Sequence, residues 1–240
     1  MPPFPGNIAG VHGDKLSKVR SAALFAGVLL AGVALAPRAR ADELAPFGRR
    51  HDVVIAGERI LGVGHATQRA TFGESAETSS ENYVSLLGST SAPGALYSVP
   101  RAGVDLFAID GLSVGGALGF GYTSITPANP INSMYRETRS RFVATARVGY
   151  AVALSARASL WPRLGATYVK STSPIQGLGG FVYYAFTAEV PVMVTVRSHL
   201  HLGIGPTIDV GIAGSPTGFK TSSIFRQTEV GFQGMVAGSF

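Results

Sequence analysis

From Val99 to the end of the chain, apolar and polar residues alternate with period two. Ala102, Val104, Leu106 and Ala108 oppose Arg101, Gly103 and Asp105; Leu112, Val114, Leu118, Phe120 and Tyr122 oppose a face of Ser, Gly and Ala. The pattern recurs at Arg139–Tyr150, Ala156–Lys170, Val182–Val194, Leu200–Ile212 and Ile224–Phe240. Period two is the mark of a strand with one apolar and one polar face. These segments predict seven strands, each with its even-numbered residues on the apolar side. Asp110-Gly111 supplies a tight hairpin turn. Further short turns fall near Val152–Ser155 and at Arg197-Ser198, and longer polar connections near 127–137, 171–179 and 213–223.

Upstream, Val53–His65 is β-rich with poor alternation and is taken as a further strand, which makes eight. Gln68–Gly94 is polar and reads as a long loop holding one short apolar piece, Tyr83–Leu87. If that piece were also a wall strand, an even count would require ten.

The predicted fold class is all-β: a closed, antiparallel up-and-down barrel of eight strands, with ten as the alternative. Closure pairs every backbone edge, which lipid demands, and segments of about 10–14 residues suit tilted strands crossing a bilayer. Tyr122, Tyr168 and Tyr184 lie near the long-loop ends, and Tyr150 and Phe240 near the short-turn ends, as two aromatic girdles do.

The N-terminal region has another character. Lys15, Lys18 and Arg20 precede an apolar run, Ser21–Ala36, followed by Ala39 and Ala41 spaced like a small-residue cleavage site. These are the three parts of a secretory signal peptide. The expected division is a signal peptide at 1–41, a periplasmic segment at 42–52 and the barrel at 53–240. Without the leader, fifteen basic and thirteen acidic residues remain, so the high pI gives no support to nucleic-acid binding. The sequence has no Cys, which excludes disulfides and thiolate metal sites.

The last strand, IFRQTEVGFQGMVAGSF, ends on Phe240 with Phe232 on the same parity. It resembles the C-terminal strand of bacterial outer-membrane β-barrels. With the loop asymmetry, the chain from Val53 resembles the small eight-stranded barrels of Gram-negative bacteria, OmpA/OmpX-like in architecture. The stretch Ser159–Tyr168, SLWPRLGATY, and the terminal strand also resemble uncharacterised members of that class. The resemblance implies outer-membrane localisation after signal cleavage, surrounding lipid, and the barrel-assembly machinery as a partner, with Phe232 and Phe240 in its signal. It implies no cofactor.

The inward parity collects Arg101, Asp105, Arg141, Arg147, Arg157, Arg163, Glu189, Asp209 and Glu229, with Trp161, His199 and His201. An eight-stranded interior is filled by side chains, and buried charges must pair. The expectation is an Arg/Asp/Glu network that plugs the lumen of a structural or surface-interaction protein. A narrow passive pore lined by the same residues is the alternative. His199 and His201 share a face but lack a third metal ligand. His65 with Glu74, Glu77 and Glu81 is the one set from which an enzyme could be imagined. No phosphate loop, nucleophile elbow or zinc motif occurs, and the expectation is that the chain is not an enzyme.

Overall fold

The computed structural model describes residues 47–72, 75–87, 89–90, 95–125, 137–172, 180–216 and 224–240. The expected signal peptide, the start of the periplasmic segment, Glu74 and most of the three long connections lie outside them.

The described chain is all-β. Its elements are β1 (Val53–Phe72), β2 (Ser75–Leu86), β3 (Ser89–Thr90), β4 (Arg101–Phe107), β5 (Leu112–Ile125), β6 (Glu137–Tyr150) and β7 (Val152–Ala153). They continue as β8 (Ala158–Leu160), β9 (Arg163–Ser171), β10 (Phe181–Glu189), β11 (Val192–Arg197), β12 (Leu200–Pro216) and β13 (Ile224–Ser239). Every pairing is antiparallel, and β13 pairs with both β12 and β1, closing the sheet on itself. Three wall strands are each built from two separated elements, and β7 continues β6 past the single residue Ala151 to pair with β8. Trp161-Pro162 interrupts β8–β9, and Val190-Pro191 interrupts β10–β11, where Pro cannot donate to a ladder. The wall therefore has eight strands, as the alternation predicts.

The third composite, β2 with β4, differs from the sequence expectation. The Gln68–Gly94 stretch is not a loop: β1 runs on to Phe72, and β2 returns beside it in register from Phe72↔Ser75 to Leu61↔Leu86. Tyr83–Leu86 thus belongs to the wall. Both faces of this hairpin are polar over most of its length, so it carries no alternation to read. The chain leaves the wall after β2, enters the lumen at Ala95–Pro100, where all six residues are buried, and rejoins it as β4 against the lower part of β1. Val99, expected to open a strand, lies in this inward segment.

The even-residue rule holds from β4 onward: Val104, Leu118, Phe120, Phe186, Ile204 and Phe232 are exposed, while their odd neighbours are buried or, at Gly121 and Gly231, half-buried. In β1 the parity is reversed. Val54, Ala56 and Glu58 point in, and Ile55, Leu61 and Val63 point out. A register shift between Gly57 and Leu61, with Arg59 at φ 53°, turns Glu58 and Arg59 both inward. This irregularity is why the alternation at Val53–His65 is weak.

Ring closure runs to the final residue. Val53 donates to Phe240 O and Phe240 donates to Val53 O, both at 3.0 Å. At the same end, Gly111 takes φ +81° in the Asp110-Gly111 turn and donates to Gly48 O, and Arg50 N donates to Asp110 Oδ1. The segment before β1 is thereby tied across the short-turn end.

Candidate functional site: the lumen

The closed wall turns inward-parity residues of distant strands toward one axis, and they fill it in three layers. At the short-turn end the layer is apolar: Phe47, Phe107, Trp161, Met193 and Met235 form one buried cluster. Phe47 packs edge-on against Trp161 at 5.0 Å, Phe107 at 5.5 Å and His201 at 4.9 Å. At the long-loop end a second apolar layer joins Leu96, Tyr97 and Val99 of the inward segment to Val143, Val169, Tyr183 and Phe225 of the wall.

Between them lies the charged layer. Arg147 Nη1 and Nη2 each donate to Glu58 at 2.6 Å, and the same guanidinium pairs with Asp105. Arg163 lies 2.6 Å from both Glu58 and Glu189 and stacks over Trp161 at 4.4 Å. Arg59 bridges Glu189 at 2.9 Å and Asp209 at 2.7 Å. One side of this layer is a hydroxyl chain across adjacent strands. Arg101 Nη1 donates to Thr145 (2.7 Å), which bonds Thr167 (3.0 Å), then Thr187 (2.7 Å), which donates to Asp209 (2.6 Å).

The inward segment is held by the same charges. Tyr97 O accepts from Arg59 at 2.6 Å and Arg101 at 2.9 Å, Tyr97 N donates to Glu229 at 2.8 Å, and Arg141 donates to Ala95 O at 2.9 Å. Backbone groups that left the wall ladder are thus satisfied by arginine and glutamate side chains, as burial requires.

Of the nine lumen residues singled out in the sequence, the structure brings together eight: Arg101, Asp105, Arg141, Arg147, Arg163, Glu189, Asp209 and Glu229 are all buried in this assembly. Arg157 is the exception. It is exposed in the short turn between β7 and β8, past the end of the wall, where strand parity no longer fixes direction. Two central members, Glu58 and Arg59, were missed because they sit at the register shift. An adjacent Glu-Arg pair in a weakly alternating strand was the only available signal.

The two histidines have local partners. His201 bonds Thr195 Oγ1 at 3.1 Å and Ser239 Oγ at 2.9 Å, and His199 bonds Ser239 O at 2.8 Å. His65 faces outward and bonds Asn82 at 2.9 Å, while Glu81 lies on the inward face of β2 and Glu77 shares its parity. The His65, Glu77 and Glu81 set therefore does not converge. Among the described residues no cluster has the make-up of a metal site.

Ring closure, an apolar exterior and an ion-paired interior define a membrane-spanning β-barrel of the small, eight-stranded outer-membrane type. No family model matches the chain, and no curated protein matches its sequence significantly. The solved structures it is similar to include Neisserial surface protein A, at 10% identity and TM-score 0.46, covering 78% of this chain and 97% of that one. The outer membrane protein OprG from Pseudomonas aeruginosa is 8% identical at TM-score 0.49, covering 83% and 99%. The outer membrane protease OmpT from Escherichia coli is 6% identical at TM-score 0.44, covering 84% and 100%. These are likenesses of overall shape, and no residue role is taken from them.

Proposed function

We propose that this chain is a non-enzymatic integral outer-membrane protein with a structural or surface-interaction role, inserted by the barrel-assembly machinery after signal cleavage. Its lumen is a plug and not a passage. The observation that carries this reading is the ion-pair layer itself. Three arginines (Arg59, Arg147, Arg163) and four acids (Glu58, Asp105, Glu189, Asp209) are ion-paired and buried there, with Arg101, Arg141 and Glu229 buried around them and apolar layers on either side. An open pore would leave such charges hydrated. Here guanidinium forks and carboxylates satisfy one another, the arrangement that makes buried charge tolerable. Planar-bilayer recording tests it: refolded protein that has inserted is expected to give no discrete conductance steps. Reproducible steps from the wild-type chain would establish the pore alternative.

A further inference from the structure

We propose that the outer surface of the wall, just above its apolar band, binds the phosphorylated headgroup of an outer-leaflet glycolipid through Arg69 and Arg226. This rests on the reading of the chain as an outer-membrane barrel and adds a specific lipid contact to it.

The site follows from strand register. On the outward face of β2, β1, β13 and β12, one row reads Asn82, His65, Val230, Ile208. Val63 and Phe232 lie exposed on the membrane side of it, so on β1 and β13 this row marks the upper margin of the apolar band, whereas on β12 exposed Val210 and Ile212 carry the band further up. The next outward row is Ser80, Thr67, Thr228, Val210, and the row beyond is Thr78, Arg69, Arg226. Successive same-face rows are about 6.8 Å apart along a strand, and barrel strands tilt by about 40°. The arginines therefore stand about 10 Å above the margin, with hydroxyls between. A simple phospholipid headgroup layer is about 5–8 Å deep, so this height suits the taller, sugar-based head of a phosphorylated glycolipid.

Arg69 and Arg226 are directly opposite one another, both exposed, and neither forms an ion pair with a described residue. Like charges in opposed cross-strand positions destabilise a sheet. A bound phosphate turns that repulsion into a bridge, and the planar guanidinium fork suits phosphate oxygens. Charge is also sorted by face. Among the described residues, the outward charged side chains above the band, Arg69, Lys170 and Arg226, are all basic. The acids of the same upper wall, Glu77, Glu81 and Glu229, take the inward parity. Among the described residues, no outward-facing acid there repels an anionic head.

The test uses the mature chain refolded in neutral detergent, with heat-modifiable gel migration checked in each sample. The probes are bis-phosphorylated lipid A, its dephosphorylated form, and inorganic phosphate as competitor, with lipid retention read by native mass spectrometry. Wild-type protein is expected to retain the phosphorylated lipid. Arg69→Ala with Arg226→Ala should weaken retention about tenfold or more, the scale that two surface cations supply. Arg69→Lys with Arg226→Lys should fall between, and Glu77→Gln should match wild type. Equal retention of the dephosphorylated lipid, unchanged retention by the double alanine variant, displacement by inorganic phosphate alone, or no retention by wild type would each overturn the site. A heat-modifiable band in the same samples would leave the barrel reading standing.

Discussion

Arg147 shows what holds the interior together at the scale of one residue. Its guanidinium is shared by Glu58 and Asp105, and all three are buried. Removing one member of a buried ion pair leaves the partners' charge uncompensated, at a cost of about 3–5 kcal/mol. Arg147→Met should accordingly lower the urea midpoint of the refolded barrel strongly, and adding Glu58→Gln and Asp105→Asn should restore much of the loss. A single variant as stable as wild type would mean the pairs contribute nothing. Tyr97 gives a sharper contrast. Its ring is fully buried, but its hydroxyl is buried without a hydrogen-bond partner. Tyr97→Phe should be neutral or stabilising by about 1 kcal/mol, whereas Tyr97→Ala should cost about 3–5 kcal/mol by emptying the upper layer. Urea unfolding followed by heat-modifiable migration measures both. At this scale the sequence was partly legible. Parity alone brings Arg101, Asp105, Arg163 and Asp209 inside, because a strand's side chains alternate whatever their partners. It cannot find Arg59, whose left-handed backbone breaks the alternation, nor Phe47, which precedes the strands altogether.

Elements differ in legibility according to their surroundings. Strands with lipid on one side and a filled lumen on the other show clean alternation, as β5, β12 and β13 do. The β1–β2 hairpin rises past the apolar band. With polar residues on both faces of its upper part it has the composition of a loop, and only pairing to β1 shows it is wall. The inward segment was hidden for a related reason. Ala95–Pro100 is short, and its burial depends on Arg59, Arg101, Arg141 and Glu229 arriving from four separate strands. The terminal strand was legible throughout, and it gains a structural role here: Phe240 makes the last reciprocal hydrogen-bond pair of the ring, with Val53. Deleting Phe240 should reduce assembly, leaving protease-sensitive chain in the periplasm. Normal membrane insertion of that truncation, measured by fractionation, would show that neither the closing pair nor the terminal aromatic matters for assembly.

For the whole molecule, two orders of packing coexist. Outside, exposed aliphatic and aromatic side chains ring the wall where a soluble protein would place polar ones. Inside, charges that a soluble protein would leave in water are buried in pairs. Each makes sense only with the other: lipid replaces water at the surface, and the filled lumen replaces a conventional apolar core. Both features require a wall that is closed, because any unpaired strand edge at membrane depth would leave backbone groups unsatisfied. The most direct measurement is therefore gel migration of the protein from the outer-membrane fraction, with and without boiling. A closed barrel stays compact in unheated detergent, so the unheated band is expected to run faster than the boiled one. Identical migration, or recovery of the protein in the detergent-free soluble fraction, would contradict a closed membrane barrel.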